Sequence, residues 1–329
     1  MSLRLADGTD RPGRAIALIL VAVTAISLND MIIKALSGAY PLHQMIFARS
    51  VVAITFSLTM LQIEGGWALL RTGRPVLHAL RGLSIVIANT AFFAALAVLP
   101  LAEATTLYFA APLFITLLAI PILGERVGAA RLAAVAAGFL GVIVMQRPWA
   151  GAEALSAPRL VLLLPVLSGF GYALMQVLTR KLGATMRASA MAVHLQVVFL
   201  AVSGLMGLVA GDGRFADGID DPSLQFLLRA WAWPEGQDWA LFVALGLASG
   251  TIGYFLAAAY RGADAATLAP FEYTGLALAV LWGWLVFGTV PGPTTLLGMV
   301  LIAGAGLVII LRERRKRREL ASRRPMRRL

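Results

Sequence analysis

Cysteine is absent from the 329 residues, which excludes disulfides, thiolate metal sites and a cysteine nucleophile. Histidine occurs three times, as His43, His78 and His194, too far apart for metal-ligand spacing. Charge is scarce as well: 14% of residues are charged, against about 25% in a soluble domain. Too little polar surface remains to cover a water-soluble core. No G-x-x-x-x-G-K-[ST] or H-E-x-x-H occurs, so neither a phosphate-binding loop nor a zinc-peptidase helix is encoded. A membrane enzyme would need a concentrated acid/base or metal constellation, and the ionisable residues within apolar stretches are single. No catalytic residue, metal or cofactor is expected. No ring-forming selectivity segment is visible, which weighs against a channel.

What the chain has in quantity is apolar residues, 59%, with a mean hydropathy of +0.82. Crossing a ~30 Å hydrocarbon core takes about 20 residues of helix. Ten runs meet that length: 14–36, 41–62, 75–98, 101–122, 127–146, 158–180, 187–210, 238–260, 264–287 and 292–311. The runs are continuous rather than alternating, which excludes a β-barrel. The fold class is therefore an all-α integral membrane protein of ten transmembrane helices.

The net charge of +11 is placed unevenly. Ten of the 28 Lys and Arg residues follow Leu311, so 312–329 is a basic tail beside the last span, suited to anionic lipid rather than to nucleic acid. With the N-terminus inside, 22 basic residues fall on the cytoplasmic side and five outside (Lys34, Arg147, Arg159, Arg214 and Arg229). The bias puts both termini in the cytoplasm. The small-x-small run Val23-Thr24-Ala25 resembles a cleavage site. The apolar stretch continues to Leu36, however, longer than a signal peptide. The longest loop, 211–237, is acidic, with Trp231 and Trp233 expected at headgroup depth.

Two stretches echo each other. The first reads Ala104-Thr105, then Leu123-Gly124-Glu125, Gly128, Gly138 and Gly141-Val142-Ile143. The second reads Ala266-Thr267, then Phe287-Gly288-Thr289, Gly292, Gly304 and Gly306-Leu307-Val308. The offset is 162 at the start, 164 across the joint and 165 at the last glycine. Five spans per half is an odd number, so the second half crosses the membrane in the opposite sense, and a binding site is expected near the midplane between the halves.

These residues resemble a known family. Arg81-Gly82, Asn89, Phe92-Phe93, Leu99 to Thr105, Pro112, Leu123 to Arg126 and Gly138 to Val142 look like the first EamA repeat of the drug/metabolite transporter superfamily. Ala269 to Tyr273 and Trp282 to Gly288 are similar to the second. The resemblance implies two inverted five-helix repeats, 14–146 and 158–311. It also implies export of small metabolites, including amino acids in exporters of the YddG type. Thr289 stands where the second repeat usually carries a glutamate.

A charge at a helix centre costs about 2.5–3.5 kcal/mol on insertion scales, so each one needs a reason. Arg49 and Glu272 each lie about 12 Å from a span end at 1.5 Å per residue. Arg49 either pairs with an acid to lock helices or binds a substrate carboxylate, the locking role being preferred. Asp30 and Lys34 are i,i+4 neighbours expected to satisfy each other. Asn29, Arg49, Asn89, Tyr108, Tyr172, Gln176, Tyr254 and Glu272 are the candidate cavity lining, apolar rings with polar tips suiting an amphiphilic ligand. Asp30, Glu272 and His194 are the candidate proton-coupling groups. Tyr40 and Tyr260 are read as interfacial. The Gly246, Gly250, Gly253 and Ser168, Gly169, Gly171 sets mark close helix approach. The expectation is a monomeric secondary transporter in a bacterial inner membrane, exporting aromatic or other neutral amino acids by alternating access, with a metabolite or drug importer of the same fold, or a polytopic membrane enzyme, as the alternative.

Overall fold

The computed structural model describes residues 12–71, 75–125, 127–151, 155, 157–182, 188–262 and 265–322. Arg4, Arg11, Arg74, Arg126 and Arg187, which entered the charge bias, lie outside them, as do the tail beyond Ser322 and the Tyr260 side chain. Thirteen α-helices and a 3-10 turn (Trp67–Leu70) are present among the described residues, and no strand. They are α1 (Pro12–Leu36), α2 (Leu42–Glu64), α3 (Pro75–Leu96), α4 (Leu101–Tyr108), α5 (Ala111–Leu123), α6 (Ala129–Gln146) and α7 (Arg159–Leu182). Then come α8 (Ala188–Ala210), α9 (Pro222–Leu228), α10 (Asp238–Gly262), α11 (Ala265–Glu272), α12 (Thr274–Phe287) and α13 (Pro293–Ser322).

Ten stretches are long and apolar enough to span a bilayer, and they fall on the ten runs read from the sequence. Their outward residues are apolar, Leu208 being 86% and Leu160 74% exposed, as lipid contact requires. α9 is a short loop helix, while α4 with α5, and α11 with α12, are each one span interrupted. The start of α1 and the end of α13 lie on one face, here the terminal face; the α1–α2 turn and the 211–237 loop lie on the other, the loop face. α13 has 30 residues, about 45 Å at 1.5 Å per residue, so its last turns outrun a ~30 Å core on the terminal face.

The halves pack by exchange. α1 lies on α10, and its counterpart pairing α7 on α3 is equally extensive; α2 meets α8, α6 meets α13, and α4 meets α12. Each of the first four pairs maps onto itself or another when the halves are swapped, as two inverted five-helix repeats require. The repeat is also visible at the turns. Gly124 (φ 69) and Gly288 (φ 64) are both left-handed helix ends, with Glu125 N–H donating to the Ala119 carbonyl and Thr289 N–H to the Gly283 carbonyl. This closure needs the backbone freedom of glycine, followed by any residue with an N–H. The Thr289 hydroxyl adds a bond to the Gly283 carbonyl (3.0 Å), so a threonine fills the place of the glutamate.

Small residues set the closest approaches. Gly246 and Gly250 on α10 receive Val52 and Phe56 of α2, and Gly171 on α7 receives Ala88 of α3. On α6, a Cβ at Gly141 would stand 2.8 Å from Leu301 Cβ and 2.9 Å from Ile302 on α13. Gly141→Leu is therefore expected to lower stability by about 1–3 kcal/mol through overpacking, read as a fall in thermal midpoint in detergent. Gly304→Ala, where nothing lies within 4 Å, should leave that midpoint in place.

Candidate functional site

The fourth and ninth spans are both broken. α4 ends at Tyr108 and α5 restarts at Ala111. Between them Phe109 N–H reaches the Thr105 and Thr106 carbonyls, and Ala110 N–H the Leu107 carbonyl, a tightening toward 3-10 geometry. Pro112 has no N–H to return to the Tyr108 carbonyl. Gly169 of α7 closes over this point, since a Cβ there would stand 2.8 Å from that oxygen. In the ninth span α11 ends at Glu272, just after Pro270, and α12 restarts at Thr274. The residues that open the two second segments share one backbone conformation, Ala110 at φ −66, ψ −12 and Tyr273 at φ −65, ψ −12. Discontinuous spans in corresponding positions are where transporters of inverted topology place their sites.

The two breaks touch. The Phe109 and Tyr273 rings lie 5.1 Å apart. From there an aromatic chain runs through Tyr108 (6.1 Å from Phe109) to Tyr172 on α7 (5.6 Å) and Phe92 on α3 (5.4 Å). Phe93 lies beside Phe92, edge-on at 5.4 Å. Gln176 donates from Nε2 to the Tyr172 hydroxyl (2.7 Å), one helical turn away on the same face. Glu272 lies close enough to act electrostatically on Tyr108, Tyr172 and Tyr273, and Asp30 on Tyr108. Tyr108, Tyr172, Gln176, Asp30 and Glu272 thus converge from four spans.

Arg49 occupies a different position within the same cluster. It is 5% exposed, its guanidinium set over the rings of Phe93 (5.5 Å) on α3 and Phe199 (5.4 Å) on α8. One Nη donates to Asn29 Oδ1 (3.0 Å), and Asn29 Nδ2 in turn donates to Asp30 Oδ1 (3.0 Å). Asn29 therefore stands between the cation and the acid, and the chain joins α1, α2, α3 and α8. Asp30 and Lys34 do not satisfy each other, contrary to the i,i+4 expectation. Lys34 instead donates from Nζ to the Leu96 and Leu99 carbonyls (2.8 and 2.7 Å), capping the last turn of α3, whose orphan carbonyls are the stronger partners.

Three candidates stand apart. Asn89 bonds its own helix at the Ile85 carbonyl (3.1 Å), three and four residues before Phe92 and Phe93. Tyr254 on α10 meets Phe56 (6.0 Å) and Phe255 (5.8 Å), without a ring contact to the chain of aromatics. His194 stacks on His78 (5.6 Å) near the terminal-face ends of α8 and α3, with its Nδ1 at the Ala190 carbonyl (2.7 Å). Tyr40 is not interfacial. It is 4% exposed and donates to Asp238 Oδ2 (2.7 Å). Phe92, Phe93 and Phe109 are absent from the expected lining, because an apolar ring in an apolar run carries no signal of its own. The repeat offset and Pro270 beside Tyr273 were the available pointers.

A profile of the EamA-like transporter family matches residues 13–147. Over almost its full length the chain is 35% identical to a riboflavin transporter of Rhizobium johnstonii, covering 94% of this chain and 96% of that one. It is 27% identical to an S-adenosylmethionine uptake transporter of Rickettsia prowazekii, over 90% and 92%. It is also 27% identical to a pseudopaline exporter of Pseudomonas aeruginosa, over 88% and 95%.

The enclosure of Arg49 makes a definite prediction. Lysine offers no planar group to lie between two rings, so Arg49→Lys should lower stability by about 1–3 kcal/mol, measured by thermal unfolding in detergent. Unchanged stability with transport abolished would instead make Arg49 a substrate contact.

Proposed function

The chain belongs to the EamA-like transporter family of the drug/metabolite transporter superfamily, a multi-pass membrane protein that carries small molecules, and on that premise we propose that its cargo is a planar aromatic metabolite, riboflavin being the first to test. The observation that carries this reading is the aromatic chain bridging the two helix breaks, from Phe92 through Tyr108 and Tyr172 to Phe109 and Tyr273. Rings at 5–6 Å from one another can part to admit a flat ring system and stack on both of its faces. The Gln176 amide and the Tyr172 hydroxyl would read the polar edge of such a ring. The name of the Rhizobium relative, matched at 35% identity over nearly the whole chain, supports the same choice.

Transport proceeds by alternating access around this midplane site, with the terminal face cytoplasmic and the protein a monomer in a bacterial inner membrane. The basic turns after Leu311 rest against anionic lipid. Asp30 and Glu272, the two carboxylates beside Tyr108, are the groups that would couple a proton gradient to cargo. His194 is set apart from them by its stack on His78. Export of aromatic or neutral amino acids is the second reading; the polar Asp30, Asn29 and Glu272 groups beside the rings favour it, since a zwitterion needs charged partners. The relatives' names divide between uptake and export, so direction is decided by assay.

Purified protein in liposomes should accumulate radiolabelled riboflavin. Removing one ring by Tyr172→Leu should raise KM roughly 2- to 12-fold, the equivalent of about 0.5–1.5 kcal/mol per stacked ring. Glu272→Gln should abolish accumulation driven by a pH gradient while leaving exchange of labelled for unlabelled cargo intact. Movement of amino acids without riboflavin would transfer the assignment to the second reading, and movement of neither would remove both.

A further inference from the structure

The loop-face segment 211–237 is held across the seam between the two halves, and nothing in the site requires it to be. There α2 of the first half packs along α8 and α10 of the second. The segment joins α8 to α10 and is fastened on α2 and the α1–α2 turn, so it bridges the halves. Trp231 sits in the bridge. Its ring lies against Gly207 of α8, where a Cβ would meet it at 2.5 Å, and against His43 (5.9 Å) and Phe47 (5.6 Å) of α2. Its backbone N–H donates to the Gly211 carbonyl (2.9 Å), tying the tryptophan back to the end of α8.

The other side is fastened by the α1–α2 turn and the first turn of α2. Gln44 grips one residue twice, donating from Nε2 to the Ala232 carbonyl (2.5 Å) and accepting from the Ala232 N–H (3.1 Å). Tyr40 donates to Asp238 and accepts from the Glu235 N–H (3.2 Å). His43 Nδ1 lies 3.1 Å from the Leu227 carbonyl, and Arg229 donates to the Ser37 and Gly38 carbonyls. Gln44 is 8% and Tyr40 4% exposed, so water does not compete freely for these bonds. On the terminal face α2 meets α8 differently, Ser189 donating to Glu64 (2.7 Å) beside a small apolar cluster of Leu61, Ala190 and Val193.

We propose that the 211–237 segment is a latch that holds the loop face closed, with Trp231 as its bolt and the Gln44 and Tyr40 side chains as its catch. It rests on reading the chain as an alternating-access transporter, but not on which cargo it carries. Opening toward the loop face separates α2 from α8, so Trp231 must leave one of the two. A latch on the loop face biases the resting population toward states closed there. Release then requires cargo, or the groups that bind it, to supply the differential affinity between the two states.

The absence of cysteine allows a direct test with single reporters in nanodiscs. Ser50→Cys lies in the loop-face half of α2 and Ala190→Cys at the terminal-face end of α8; both positions are fully buried. Reaction with a charged methanethiosulfonate reagent is followed without cargo, in the unaltered background and with Gln44→Ala, Tyr40→Phe or Trp231→Ala added. The latch predicts Ser50→Cys reacting roughly five- to tenfold faster in each of the three, with Ala190→Cys unchanged or slower. Equal acceleration of both reporters would mean general loosening and would overturn the proposal, as would no acceleration at Ser50→Cys. Gln44→Ala removes two hydrogen bonds and no packed ring, which guards the test against a Trp231→Ala variant that fails to fold. Normal latch behaviour with no riboflavin transport would leave the latch standing and remove only the cargo assignment.

Discussion

Backbone that leaves the α-helix inside a bilayer must find partners within the protein, because lipid offers none. The breaks in the fourth and ninth spans are the places where this chain meets that constraint. Each is covered by the other half: Gly169 of α7 closes on the Tyr108 carbonyl, and the Phe109 and Tyr273 rings at the two breaks lie tilted against each other. Two defects that would each be costly alone are placed so that they shield one another. That shared shielding puts the irregular backbone, the aromatic chain and the Asp30 and Glu272 carboxylates in one region between the halves, where a cargo could contact both.

Around that region the ionic groups divide by position. Arg49 lies by the rings of Phe93 and Phe199 and donates to Asn29, which in turn donates to Asp30, an arrangement that joins four helices. A cation held in this way also sets the electrostatic background for the acids nearby. Lys34 is employed similarly, on the last carbonyls of α3. Tyr108, Tyr172, Gln176 and Glu272 are left as the polar groups arranged around the aromatic chain. Loop-face closure is built from other residues altogether, largely side chains of the α1–α2 turn and first turn of α2 that bond the backbone of the long loop.

The spans were legible in the sequence because lipid imposes a single length and polarity on all of them. The glycine turns after Leu123 and Phe287 were legible too, since a left-handed helix end favours one residue type, and it forms even where Thr289 replaces glutamate. The breaks were not visible as interruptions: hydropathy runs unbroken through Phe109-Ala110 and through Tyr273. Asp30 and Lys34 were paired by helical spacing, yet the free carbonyls at the end of α3 won the lysine, a partner more than sixty residues away that local spacing cannot show. Tyr40 and Trp231 resemble interfacial aromatics by position alone, but tertiary contacts bring both into the loop-face fastening. Of the proposed lining, Tyr108, Tyr172, Gln176 and Glu272 cluster, while Tyr254 and Asn89 face other partners for the same reason: a helix face is fixed by its neighbours.

The most direct test of the account is a structure determined with cargo bound. It should place the ligand ring between the two broken spans, touching Tyr108 and Tyr172 from one side and Tyr273 from the other, with its polar edge toward Gln176. A ligand contacting only one half, or lying away from the two broken spans, would contradict it.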